Sequence, residues 1–72
     1  MTREEFDEIM DGLFEELGIE VIDNECEAES FTYMQLIASI EDEFEIELPD
    51  QFLVLDSLKN IELFKSMIYE LI

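Results

Sequence analysis

Phe6, Ile9, Met10, Leu13, Phe14 and Leu17 recur at steps of three and four, a spacing that lines them up on one face of a helix. Thr2 with Glu5 three residues later has the form of a capping box. Acids crowd the first turns, where the helix dipole favours them, and Gly18 stands where a left-handed C-cap belongs. A helix from about residue 3 to about 17 is predicted. The helical period is then lost: residues 19–29 mix Ile19, Val21 and Ile22 with Asp23, Asn24, Glu25, Glu27 and Glu29. This stretch reads as a loop that lies across a core by its apolar residues.

From Phe31 to Phe44 the pattern is helical again, but Phe31, Tyr33, Met34, Leu36, Ile37, Ala38 and Ile40 cover more than one stripe. Such a helix is either buried on two sides or turns an apolar flank to a partner. Glu45, Ile46, Glu47 and Leu48 alternate, and Pro49 with Asp50 ends the helical pattern, because proline lacks an N–H and biases its predecessor away from helical geometry. Gln51 to Leu55 is short and apolar and reads as one or two helical turns. Asp56 or Ser57 offers a cap for a last helix whose Leu58, Ile61, Phe64, Ile68 and Leu71 face inward. The expected fold is all-α: one domain over residues 1–72, a small antiparallel bundle of three main helices plus one short helix. Phe6, Leu13, Phe14, Phe44, Ile61, Phe64 and Ile68 read as its core rather than as a cofactor pocket.

Charge narrows the functions open to such a bundle. The 72 residues hold 21 Asp plus Glu against 3 Lys plus Arg, a net −18. Arg3, Lys59 and Lys65 are too few to neutralise a polyphosphate, so nucleic acid is not an expected partner, and an anionic membrane surface is disfavoured on the same ground. The chain has no histidine, which removes the commonest general base and the commonest metal ligand. A core this small is not expected to enclose a catalytic cleft, so neither an enzyme nor a metal site is predicted. Cys26 has no partner for an internal disulfide, the first residues carry acids where a signal peptide needs cations, and no segment approaches membrane-spanning length. A cytoplasmic monomer is expected. Self-repulsion among so many acids opposes compaction and is screened over about 8 Å at physiological ionic strength. Added salt or millimolar Mg²⁺ is therefore expected to raise the melting temperature, as a salt series followed by circular dichroism would show; a flat series would mean the charges are too dispersed to matter.

Of the four serines, Ser39 and Ser66 fall inside predicted helices. Ser30 stands at the seam between an acidic loop and a helix start, where unpaired backbone N–H groups would favour an attached phosphate. Glu29, Ser30 and Phe31, followed by Leu36, Ile37, Ile40, Glu41, Glu43, Phe44, Ile46, Leu48, Pro49 and Asp50, resemble the second half of an acyl carrier protein. In that family an acid, a serine and a bulky apolar residue open the second helix, and a Glu, Glu, Phe, x, Ile, x, Leu or Ile, Pro, Asp signature closes it. The spacing from Ser30 to Pro49 matches without a gap, and the first helix and long loop fit as well.

The resemblance implies a domain with no catalysis of its own. A phosphopantetheinyl transferase would move 4'-phosphopantetheine from coenzyme A onto Ser30, and the thiol of that arm would hold an acyl or aminoacyl thioester. Glu29 would be the acidic neighbour of the attachment site, and Phe31, Met34 and Gln35 would lie on the surface that docks loading and biosynthetic enzymes through their basic patches. The family usually has glycine where this chain has Glu27, Asp where it has Glu29, Leu or Ile where it has Phe31, and more acids around Thr32, Tyr33 and Gln35. These departures point to specialised partners.

Other readings of the same residues stand beside this one. Leu55, Asp56, Ser57 and Leu58 match the family tripeptide more literally, but only one helix follows them, and Asp56 and Ser57 are ordinary helix-cap residues. Cys26 sits among Asp23, Glu25, Glu27 and Glu29, which disfavour a thiolate nucleophile. Those acids begin like an EF-hand loop, yet Ala28 and Met34 stand where glycine and a bidentate Glu are needed. The alternative of another class is an unmodified acidic helical adaptor that binds a basic protein through the wide apolar face of its second helix.

Overall fold

Thr2 starts the first helix as its spacing implies: the Glu5 N–H donates to Thr2 Oγ1 at 3.2 Å, and α1 runs over Arg3–Glu16. The structure, a computed structural model, describes residues 1–52 and 54–72. Gly18, at φ +73°, closes α1: its N–H donates to the Glu15 carbonyl at 3.0 Å and the Ile19 N–H to the Phe14 carbonyl at 2.8 Å. This is the Schellman pattern, with Ile19 and Phe14 both buried as its apolar contact.

α2 spans Ser30–Phe44 and ends on the same logic, the Ile46 N–H donating to the Glu41 carbonyl at 3.1 Å. Here the left-handed residue is Glu45, at φ +55°. A Cβ in that region costs about 1 kcal/mol. Glu45→Gly is expected to stabilise the fold by up to about 1 kcal/mol and raise the melting temperature by about 4–8 °C, measured by thermal denaturation. Beyond the helix, Glu41 Oε2 accepts from the Leu48 N–H at 2.8 Å, which ties the 46–48 segment back to α2.

The short apolar segment after Pro49 forms two 3-10 turns, Asp50–Phe52 and Leu55–Lys59, in place of one short helix. Leu53, part of that expectation, lies outside the described residues. α3 begins later than predicted and spans Ile61–Tyr69. Its cap is Asn60, not Asp56 or Ser57, both of which sit inside the second 3-10 turn.

The long loop supplies the rest of that cap. Asp23 and Asn24 are both left-handed, at φ 54° and 65°, and Ile22 and Glu25 exchange backbone hydrogen bonds at 2.8 and 3.1 Å. This two-residue hairpin turn carries Asn24 to the start of α3. There its carbonyl accepts from the Ile61 N–H and its Oδ1 from the Glu62 N–H, each at 2.8 Å, while Asn60 Oδ1 accepts from the Leu63 N–H at 3.1 Å. Asn24 Nδ2 donates to Asn60 Oδ1 at 2.9 Å. The three first donors of α3 are thus satisfied by two asparagines, one of them 36 residues away in sequence from the other. Asn24→Ala loses both the side-chain bonds and a residue type that tolerates the left-handed region, and is expected to cost about 2 kcal/mol in urea unfolding. Asn24→Gly, which relieves the backbone, is expected to cost about half of that.

α1 packs against both α2 and α3. The core is Phe6, Met10 and Phe14 of α1, Tyr33, Leu36, Ile37 and Ile40 of α2, Phe52 and Leu58 of the 3-10 turns, and Ile61, Phe64 and Ile68 of α3, with Ile19 and Leu48 at its edges. Leu13 and Phe44, expected within it, are only half-buried. Leu71 lies exposed beyond the end of α3. The loop crosses the core by Ile19, Cys26 and Ala28, while Val21 and Ile22 face outward. The second helix resolves its two stripes by burying one and leaving Phe31 and Met34 exposed.

Among the described residues the chain is mostly helical, with three α-helices and no strand beyond the Ile22–Glu25 bridge. Its radius of gyration of 11.0 Å matches the roughly 11 Å of a packed domain this long. No helix among the described residues is long and apolar enough to cross a membrane.

Candidate functional site

Ser30 is the first residue of α2 and is exposed. Glu29 occupies the N-cap position in extended geometry, at φ −71° and ψ 156°, and its carbonyl accepts from the Tyr33 N–H at 2.9 Å. Its carboxylate makes no cap hydrogen bond, and the first turn of α2 contains no acid. The other two helices differ: α1 has the Thr2 cap with Glu4 and Glu5, and α3 has the Asn60 cap with Glu62. α2 therefore begins with backbone donors that no side chain caps, next to an accessible hydroxyl.

The remaining serines are each at least partly covered. Ser66 accepts from Arg3 Nη1 at 3.2 Å. Ser57 lies in the 3-10 turn and its N–H donates to the Val54 carbonyl at 3.2 Å. Burial pushes the Tyr33 phenol pKa up, with Ser57 acting weakly against it. Of the four serines only Ser30 is exposed.

Phe31, 72% exposed, and Met34, 50% exposed, form an apolar flank one turn long on α2, with Gln35 exposed beside them. The sequence-predicted site residues Glu29, Ser30, Phe31, Met34 and Gln35 thus share the N-terminal half of α2 and all face solvent. Tyr33 was not singled out by sequence. It is 2% exposed, and its hydroxyl donates to the Phe52 carbonyl. Its only sequence signal was membership of the second apolar stripe.

Cys26 lines a surface groove of about 850 Å³ between the long loop and the second 3-10 turn, together with Ala28, Leu55, Leu58, Glu25, Glu27 and Asp56. Its N–H donates to the Leu58 carbonyl at 3.1 Å. Burial pushes the Cys26 thiol up, so the thiolate is disfavoured, as the sequence implied, but by desolvation instead of the neighbouring acids. Among the described residues no group of three or more His, Cys, Asp or Glu is arranged to hold a metal ion.

The three cations are all in ion pairs. Arg3 meets Asp7 and Glu62, each at 2.9 Å, and stacks 5.7 Å from the ring centres of both Phe6 and Tyr69. Lys65 reaches Asp7 at 3.6 Å and Asp11 at 3.8 Å, and Lys59 reaches Asp56 at 3.4 Å. For Asp7, burial pushes the carboxyl pKa up, but Arg3 and Lys65 outweigh it and hold the group below its ordinary value. These pairs gather the positive charge at the α1–α3 seam and the second 3-10 turn, leaving none on α2. No family model matches the chain, and no curated protein or solved structure matches it either.

Proposed function

We propose that the protein is a free-standing carrier that holds acyl or aminoacyl thioesters on a 4'-phosphopantetheine arm attached to Ser30. The observation that carries this reading is the exposed Ser30 hydroxyl at the first position of a helix whose N-terminus has neither a side-chain cap nor an acid in its first turn. The residues present fit the group: an accessible hydroxyl to receive it, and first-turn N–H groups that favour a phosphodiester anion there. When bound, the arm supplies a terminal thiol on which the carried group is held as a thioester.

In attachment, the Ser30 oxygen bonds to phosphorus of coenzyme A, its proton leaves, and the phosphoanhydride bond to the nucleotide breaks. The transferase catalyses this step; the carrier's part is to present the hydroxyl. Phe31, Met34 and Gln35 then serve as the docking flank, and the uncompensated acids speed encounter with enzymes bearing basic patches. The cytoplasm suits such a protein with its unpaired Cys26.

Incubation with coenzyme A and a broad-specificity phosphopantetheinyl transferase is expected to add one arm per chain by intact mass spectrometry. A folded protein that no competent transferase modifies would end the reading. The exposed Phe31–Met34 flank on a chain of net charge −18 also favours a second reading, an unmodified adaptor for a basic protein. A cell-derived sample with no added mass and a salt-sensitive complex with a cationic protein would select it.

A further inference from the structure

We infer that Asn24 is a positioning residue for Ser30: from the start of α3 it holds the segment that leads into the attachment site, and so keeps the first turn of α2 closed; this rests on the carrier reading. Between Asn24 and Ser30 the chain alternates. Cys26 and Ala28 are partly buried against the core, while Glu25, Glu27 and Glu29 face solvent. The fixed points of this segment all lie on one side. Asn24 Oδ1 accepts from the Glu62 N–H at 2.8 Å and its Nδ2 donates to Asn60 Oδ1 at 2.9 Å. The Asn24 carbonyl accepts from the Ile61 N–H at 2.8 Å, and the Cys26 N–H donates to the Leu58 carbonyl at 3.1 Å. Among the described residues no hydrogen bond joins residues 20–28 to α1 or α2. The approach to Ser30 is therefore tied to the second 3-10 turn and to the start of α3.

At its far end the segment meets a helix start that has little support of its own. No side chain caps α2, and its first turn closes through the Tyr33 N–H on the Glu29 carbonyl at 2.9 Å. Glu29 holds that carbonyl in place by staying extended, at φ −71° and ψ 156°. An uncapped end frays readily, and a fixed path into Glu29 is what limits fraying here. Freed at Asn24, the segment samples more conformations, and the fraction of molecules that present Ser30 on a closed turn falls. A transferase then meets fewer competent molecules, which raises KM and leaves kcat, set by chemistry at the hydroxyl, unchanged.

Amide hydrogen exchange tests the coupling without a transferase. The Tyr33 N–H reports the first turn of α2, and the Ile40 N–H, on a fully buried residue later in the same helix, reports opening of the whole fold. Asn24→Ala is expected to raise the Tyr33 rate relative to the Ile40 rate about tenfold. General loss of stability would speed both and leave their ratio alone. Asn60→Ala removes the cap on the Leu63 N–H but leaves Asn24 on the Glu62 N–H, and is expected to keep the parent ratio. Asn24→Asp, which retains that acceptor and tolerates the left-handed region, is expected to keep it too. An unchanged ratio in Asn24→Ala, an equal rise in Asn60→Ala, or a rise in Asn24→Asp would each overturn the inference. If Asn24→Ala does not fold, Asn24→Gly, which relieves the backbone, carries the same expectation. With coenzyme A and transferase, the Asn24→Ala chain is expected to show KM raised about tenfold at unchanged kcat; a fall in kcat at unchanged KM would also overturn the inference. A parent chain that no transferase loads, with the exchange ratio altered as expected, would overturn the carrier reading alone.

Discussion

Ser30→Ala is expected to abolish addition of the arm completely, whereas Ser57→Ala is expected to load as the parent protein does. Both serines follow an acid, and Asp56–Ser57–Leu58 is the more literal match to a carrier tripeptide, so the tripeptide alone favours Ser57. Their surroundings separate them. Ser30 is exposed at the head of a helix of 15 residues whose N-terminus is uncapped. Ser57 is partly covered in a 3-10 turn of 5 residues. A transferase must bring phosphorus up to the hydroxyl oxygen, which requires open approach and favours a site where backbone donors meet the phosphate. Intact mass after incubation with coenzyme A and transferase reads the result as present or absent. Neither substitution removes a core side chain, so matching circular dichroism spectra would show that the difference is one of chemistry and not of folding. Loading that survives Ser30→Ala and vanishes in Ser57→Ala would move the site to the 3-10 turn.

Much of the architecture was legible because its signals are local. Thr2 and Glu5 lie three residues apart and form the predicted bond, and Gly18 takes the predicted left-handed cap. The apolar stripe of α1 buries Phe6, Met10 and Phe14 as its period implies. What escaped depends on residues distant in sequence. Asn60 has the same capping chemistry as Asp56 and Ser57, and nothing local ranks the three. The choice is made by Asn24, which reaches the start of α3 across the hairpin turn and bonds both Asn60 and the Glu62 N–H. Asp23–Asn24 is a weaker turn signal than an Asn–Gly pair, but two residues that tolerate the left-handed region, standing side by side between Ile22 and Glu25, could have been read as one.

The candidate site divides in the same manner. Glu29, Phe31, Met34 and Gln35 were grouped with Ser30 by the resemblance to a carrier family, and their shared exposure follows from Leu36, Ile37 and Ile40 taking the inner face. Tyr33 was read as one more apolar position. Its buried role depends on a carbonyl 19 residues on, at Phe52. The 3-10 turns bring Phe52 and Leu58 into the core in place of a short helix, and Pro49 removes a donor at their entry.

Phe64→Ala is expected to leave the chain largely unfolded at room temperature. Phe64 is 2% exposed on α3, with Tyr33 and Phe52 packed around its ring. Through them it joins α3 to α2 and to the first 3-10 turn. Truncating a buried phenylalanine to alanine costs about 3–5 kcal/mol, from lost transfer free energy and the void left behind. A single core in a chain this short supplies only about 3–5 kcal/mol of net stability. The two quantities are equal in size, so one side chain decides whether the fold persists, and screening of the net −18 charge by salt can offset only part of the loss. Far-UV circular dichroism in a urea series checks this: the parent should show a cooperative transition, and Phe64→Ala little helical signal even without urea. Leu63→Ala, one position away but 55% exposed, is expected to shift stability by no more than about 0.5 kcal/mol. If Phe64→Ala unfolds no more easily than Leu63→Ala, then the three-ring cluster does not hold α3 in place, and the bundle owes its stability to the caps and the Arg3 clasp instead.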